Sequence, residues 1–467
     1  MKAKLYNAIL KHSNIKYPYH MPGHKFGRAF NLKNLPLLAL DATEVEGLDN
    51  LYNAQGIIKQ AMQDMARFYG SKKCIFLTNG ATAGILTALL TVCKPKDKMI
   101  VVRNAHQSVI NGLILADAIP IYISPKILPC GIIGEVDKNN IIQVLKWHPD
   151  IKGAIITSPT YEGIISDIEG IRKILGNRIL IIDEAHGAHL NISPNFPKSA
   201  IHVGADIVIN SMHKTLPALG QSALLHLCTN KIKYDDLIKN LSIIQTSSPS
   251  YLLMGLMDYI RFYIEKNNIN IQKKYVEMLI KYRKKLRKLS KLSIFEYRNF
   301  LDFSKIVILT NNYISGKNLT NILYNRYNIV VEAALESHVI LITSPADKKN
   351  NFSILLKALI EIDKNLSKPM IKNKLVSLEG CISQKSISSV ISLGEVRFMP
   401  KIKMPMEDSI GKIAGENVIL FPPGIPIICI GEQINNIHIE VIRSNLNNVV
   451  GVSFIDKVPY ILVLEKC

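Results

Sequence analysis

The chain is predicted to be an α/β protein built on a doubly wound, mostly parallel sheet. Short Ile/Val-rich runs alternate with helix-like stretches through its first half. Most of these runs are apolar on both faces, as strands covered by helices on either side must be. Four of the runs end on unusual polar or charged residues, where such a sheet keeps its chemistry. The runs are Cys74–Thr78, Met99–Arg103, Ile119–Ser124, Ala154–Ser158, Ile179–Asp183, Ile207–Asn210 and Ala223–Leu227.

The pattern turns helical from Leu252 through Lys291. Strand-like runs follow at Lys305–Leu309 and Val339–Thr343, then a helix at Phe352–Leu366. Ser367–Lys374, with a proline and several lysines, reads as a linker. The expected division is an N-terminal arm (1–50), a large domain (51–250), a small α/β domain (251–366) and a C-terminal domain (367–467).

A chain of 467 residues has room for several folding units, and 48% hydrophobic with 20% charged residues is ordinary for a globular enzyme. The net charge of +20 raises a nucleic-acid role. The basic residues are spread along the chain, however, and no binding motif accompanies them, so no nucleic-acid partner is expected. The densest run, Lys281–Lys291, carries Leu286, Leu289 and Leu292 at helical spacing and reads as a solvated helix face. Seven cysteines without CxxC or Cys/His spacing point to free thiols in a reducing cytoplasm and to no metal. The first residues turn polar too early for a signal peptide, and the apolar run near the C-terminus is broken by prolines, so no membrane span is expected.

The strand ends carry the functional signal. In TNGATAG, Thr78–Gly84, Gly80, Ala81 and Thr82 open a helix whose free N–H groups suit a phosphate; the plain alternative is a helix start capped by Thr82. In VVRNAHQS, His106 sits just past a strand end, where an imidazole can stack on a flat ring. In ILIIDEAHGAH, Asp183 ends a buried strand and needs a partner; a protonated pyridine nitrogen is well suited. A metal on Asp183, Glu184, His186 and His189 is disfavoured, because consecutive strand residues point to opposite faces. In ADIVINSMHKTLPALGQS, a strand end delivers Ser211, His213 and Lys214, and a lysine beside a buried cofactor can form an imine.

With these residues the sequence resembles the ornithine/lysine/arginine decarboxylases of the aspartate-aminotransferase fold, in their short bacterial form. The matching motifs are MPGHKFG (Met21–Gly27), TEVEGLDNLY (Thr43–Tyr52), FLTNGATAG, VRNAHQSV, TSPTYEG (Thr157–Gly163), DEAHGAH, SMHKTLPALGQ and FPPGIPIICIGE (Phe421–Glu432). The resemblance implies a pyridoxal 5'-phosphate enzyme of fold type I. It implies that Lys214 forms the Schiff base, Asp183 pairs with the pyridinium nitrogen and His106 stacks on the ring. Ala81, Thr82, Ser211 and His213 would surround the phosphate, with Ala185 and His186 against the ring or its hydroxyl. Gln107, Met212, Gly220 and Ile430 depart from the usual family residues.

The implied reaction is loss of CO2 from arginine, lysine or ornithine, with Lys214 or His213 returning a proton. Glu44, Glu46, Asp49, Glu162 and Glu416 are candidates to bind the substrate's side-chain cation. An aminotransferase or lyase on the same cofactor is the nearest rival, and a non-catalytic cofactor-binding regulator a more distant one. The resemblance also implies at least a homodimer, with the Tyr19–Arg28 arm reaching an active site at the subunit interface.

Overall fold

The protein is described by a computed structural model covering residues 16–27, 40–298, 300–367, 369, 393–420 and 425–465. After a short N-terminal strand, β1 (Tyr17–Tyr19), come seven strands of one sheet: β2 (Lys73–Leu77), β3 (Lys98–Val102), β4 (Ile119–Ile123), β5 (Gly153–Thr157), β6 (Ile179–Asp183), β7 (Ile207–Ser211) and β8 (Ala223–Leu227). They lie in the order β2-β8-β7-β6-β5-β3-β4. The apolar runs are buried on both faces; every residue of β6, β7 and β8 is buried. The sheet is therefore covered on both sides, as expected. One strand departs from the parallel rule: β8 runs antiparallel to both β2 and β7. It follows β7 through a loop too short for a crossover helix, so it returns as a hairpin.

The covering helices include α1 (Ile57–Tyr69), α2 (Gly80–Val92), α3 (Gln107–Leu115), α4 (Lys138–Trp147) and α5 (Ile168–Leu175). The stretch expected to be helical from Leu252 to Lys291 is interrupted. After α6 (Tyr251–Ile271), which has non-helical dihedrals at Asn267, comes a π-helical turn at Gln272–Val276, then α7 (Glu277–Leu286).

A second sheet is formed by β9 (Ser293–Ile294), β10 (Lys305–Leu309), β12 (Ala333–Ala334) and β13 (His338–Ile342), all antiparallel, in the order β9-β10-β13-β12. Between them β11 (Ile329–Val331) pairs in parallel with β1. Residues 393–465 add two small antiparallel sheets around a separate apolar cluster that includes Ile427, Ile439 and Val463. Phe421–Gly424 of the FPPGIP motif lie outside the described residues, as does most of the expected linker. No helix among the described residues is long and apolar enough to cross a membrane.

The N-terminal arm packs into the body of the chain. Tyr19 is buried against Phe352, and Lys25 is only 2% exposed. The Lys25 ammonium donates to the carbonyls of His20 (2.8 Å) and Ile342 (2.9 Å), which satisfies a charge that would otherwise be costly to bury. These contacts lie within one chain.

Candidate active site

β2, β3, β5, β6 and β7 run in the same direction, so their carboxyl ends share one sheet edge. Lys214 follows β7 through a single helical turn, Met212–Thr215. Its Nζ lies 3.1 Å from Nε2 of His186. Burial pulls the Lys214 pKa below the ordinary lysine value, opposed by the charges of Asp183 and Glu332. Asp183 ends β6, is 3% exposed, and accepts the backbone N–H of Ala185 at 3.1 Å.

His106 caps α3: its Nδ1 accepts the N–H of Ser108 at 3.2 Å, which leaves any ring proton on Nε2. Burial lowers the His106 pKa, Asp183 opposes this and Lys214 reinforces it, so the three groups share one electrostatic neighbourhood. The second ring nitrogen of His186, Nδ1, lies 3.1 Å from Nζ of Lys305. Burial, then the charges of Lys214 and Lys305, drive the His186 pKa far below the usual imidazole value. The ring of Tyr161 meets that of His186 edge-on at 5.4 Å.

At the phosphate-like end, the helix-start residues Gly80, Ala81 and Thr82 form the first turn of α2. Asn79 precedes it without capping it through its side chain, and Gly80 has φ 74°. Thr82 is exposed and inside the helix, so it is not the cap. The Gly80 N–H donates to the carbonyl of Gln221 at 2.8 Å, while no side chain caps the N–H groups that follow it, the arrangement that favours an anion. Ser211 is buried at the end of β7. His213 uses its Nδ1–H on the carbonyl of Ser222 at 3.1 Å, and burial lowers its pKa. A neutral His213 therefore presents Nε2 as an acceptor, which is unsuited to donating to a phosphate.

The carboxylates expected to meet a substrate have other engagements. Asp49 accepts backbone N–H groups from Asn50, Gln55, Gly56, Ile58 and Lys59, and so organises the start of α1. Glu162 is buried, accepts from Thr160 and lies 3.8 Å from His338. Glu416 lies on the C-terminal segment near Lys401 and Lys403, and Glu44 and Glu46 are exposed. The other members of the DEAH stretch also diverge. Glu184 turns to Ser199 and Asn210, and His189 turns to Asp302 and Ser304.

Two participants were not anticipated. Glu332 accepts from Tyr161 Oη (3.0 Å) and from the N–H of Met21 (2.8 Å), and its charge acts on Lys214, Lys305 and Lys25. Lys305 is 1% exposed, with its pKa lowered to about 8 by burial. Neither sits in a motif; each is brought in by the second sheet.

Residues 3–306 match the family described as Orn/Lys/Arg decarboxylase, major domain. The chain belongs to this family. It is a pyridoxal-phosphate-dependent amino-acid decarboxylase. The decarboxylase is 33% identical over 94% of its length to an uncharacterised protein of Bacillus subtilis, YaaO, of which the match covers 93%. It is 29% identical over 95% of its length to an arginine decarboxylase of the same organism, again covering 93% of the relative. Among solved structures, a lysine decarboxylase of Francisella novicida superposes with a TM-score of 0.80 over 99% of this chain and 83% of the other; at 18% identity this establishes the fold.

The residues present fit the cofactor. A buried amine, a buried carboxylate acting on the same histidine, and a helix start lacking a side-chain cap lie along one sheet edge. The hydroxyl of Ser222, beside His213, is buried without a hydrogen-bond partner and offers a further donor there.

Proposed function

We propose that the decarboxylase removes CO2 from a basic L-amino acid, arginine foremost, with Lys214 as the cofactor-bearing amine. The observation that carries this reading is the placement of Lys214 beside Asp183, His106 and His186. Asp183 would hold the ring nitrogen, His106 one ring face, and the first turn of α2 with Ser211 and Ser222 the phosphate. The bound cofactor supplies an electron sink for the pair released as the carboxylate leaves.

The protein's own part is binding, orientation and proton supply. Asp183 is held in place at the end of β6 by the Ala185 N–H. His106, anchored by Ser108, is held in one orientation. Lys214 Nζ is positioned to hold a proton and return it to the substrate carbon. His213, whose Nδ1–H is already engaged, is less suited to that task. Arginine is favoured because a relative matching nearly the whole chain is named an arginine decarboxylase. Release of CO2 from arginine, lysine and ornithine by the purified protein tests the reading. Preferential turnover of arginine is expected; transamination without CO2 release from any of the three would overturn it.

A further inference from the structure

Each ring nitrogen of His186 faces a lysine amine: Nε2 faces Lys214 and Nδ1 faces Lys305, both at 3.1 Å. The buried ring, set between two lysines, is neutral. A neutral imidazole has one N–H donor and one bare acceptor, whereas an ammonium can only donate. For both contacts to be hydrogen bonds, one lysine must donate and the other must accept with a free lone pair. The array therefore keeps one of its two amines unprotonated.

Each amine stands beside carboxylates. Lys214 faces Asp183 and Glu332. Lys305 faces Asp302 and Glu332, with Lys214 and Lys25 as like charges. His186 also faces His106, His213 and the ring of Tyr161. Lys25 spends its ammonium on two carbonyl oxygens. Asp302 is fixed by His189 and by the Ser304 N–H, three residues or fewer from Lys305, so its charge stays beside that lysine.

We propose that Lys305 is a positioning residue of the decarboxylase: it donates to Nδ1 of His186, fixes the Nε2–H tautomer, and thereby holds Lys214 as a free amine. The same array moves a proton when one is required. A proton passes from Lys305 Nζ to Nδ1 as the Nε2 proton passes to Lys214 Nζ. Lys305 loses one positive charge, Lys214 gains one, and the ring stays neutral in its other tautomer. This rests on Lys214 being the reactive amine, but its test uses the full chain stripped of cofactor and needs no turnover.

The test is the pH dependence of reductive methylation at Lys214, with formaldehyde and cyanoborohydride as the probe. Peptide mass spectrometry reads the modification, and exposed lysines serve as internal reference. In the wild-type protein Lys214 should react with a midpoint below that of the exposed lysines. Lys305→Met should raise that midpoint by at least about one pH unit. Lys305→Arg, a permanent donor, should restore it. His186→Phe, which keeps Lys305 but removes the link, should raise it as well; a through-space charge effect alone would not. An unchanged midpoint in folded Lys305→Met, or in His186→Phe, overturns the proposal. If Lys305→Met does not fold, His186→Phe and Lys305→Arg decide the question.

Discussion

Arg103 at the end of β3 is joined to Glu432 of the C-terminal segment by an ion pair of 2.5 Å, with the two side chains 5% and 2% exposed. Arg103 also donates to the carbonyl of Ile427 at 3.0 Å, and Glu432 accepts the N–H of Cys429. The pair ties the C-terminal segment to a strand end three residues before His106. Removing one partner leaves a buried charge uncompensated. Glu432→Ala is expected to cost about 3–5 kcal/mol in urea unfolding. Arg103→Met combined with Glu432→Leu should recover much of that loss; equal loss in both variants would mean the pair is not the cause.

Gly23 of the N-terminal arm lies directly on the loop that carries Lys214. Its N–H donates to the carbonyl of His213 at 2.8 Å, and a Cβ there would stand 2.5 Å from the carbonyl oxygen of Leu216. Such a contact forces the loop to move. Gly23→Ala is therefore expected to weaken cofactor binding at least about tenfold, a change of about 1.4 kcal/mol, while leaving the secondary structure intact. Fluorescence titration of the stripped protein with pyridoxal phosphate, alongside circular dichroism, measures both.

Acid should destabilise the fold through two fully buried histidines. Burial lowers the pKa of His226 to about 3 and that of His438 to about 4, from an ordinary 6.5. The unfolded chain binds more protons below that ordinary value, so the stability is complete above pH 6.5 and is lost as pH falls toward the folded values. Glu184, pushed up to about 7 by burial, works in the opposite direction: its contribution is present below 4.5 and lost as pH rises toward 7. These two histidines against one carboxyl leave a loss of about 1.4 kcal/mol per pH unit on acidification between these values, and His186, His106 and His213, whose pKa values burial also lowers, add to it. Urea unfolding at pH 7 and pH 5 should show the drop, and His226→Gln should flatten it.

Asp183→Asn keeps the shape of the side chain and removes its charge. Turnover is expected to fall about a hundredfold or more, with the protein still folded and still binding some cofactor. Near-normal turnover in a folded variant would refute the role assigned to Asp183.

Much of this was legible in the sequence because the strands are short, apolar runs. Ile179–Asp183 and Ala223–Leu227 were bounded correctly, and the other five strands lie within a residue of expectation. The strand-end groups were visible because each interrupts such a run with a polar residue. Glu332 and Lys305 were not, because a lone charge at a strand end looks like any solvated residue until the chain fold brings it to Tyr161 and His186. Asp49 has a local engagement that its sequence context signals. In DNLYNAQG a carboxylate ahead of a glycine-led helix start is a capping signal, and five backbone donors take it up. The burial of Lys25 could not be read from the sequence, because the two carbonyl oxygens that receive its ammonium come from the chain fold, one of them 317 residues away.

The central claim is that Lys214 bears the cofactor. Reducing the purified protein with borohydride fixes the attached cofactor, and peptide mapping then locates it. The account predicts the modification on the peptide containing Lys214 and none in Lys214→Ala, with CO2 release from arginine abolished in that variant. A modified lysine elsewhere, Lys305 included, or undiminished CO2 release by Lys214→Ala, would contradict it.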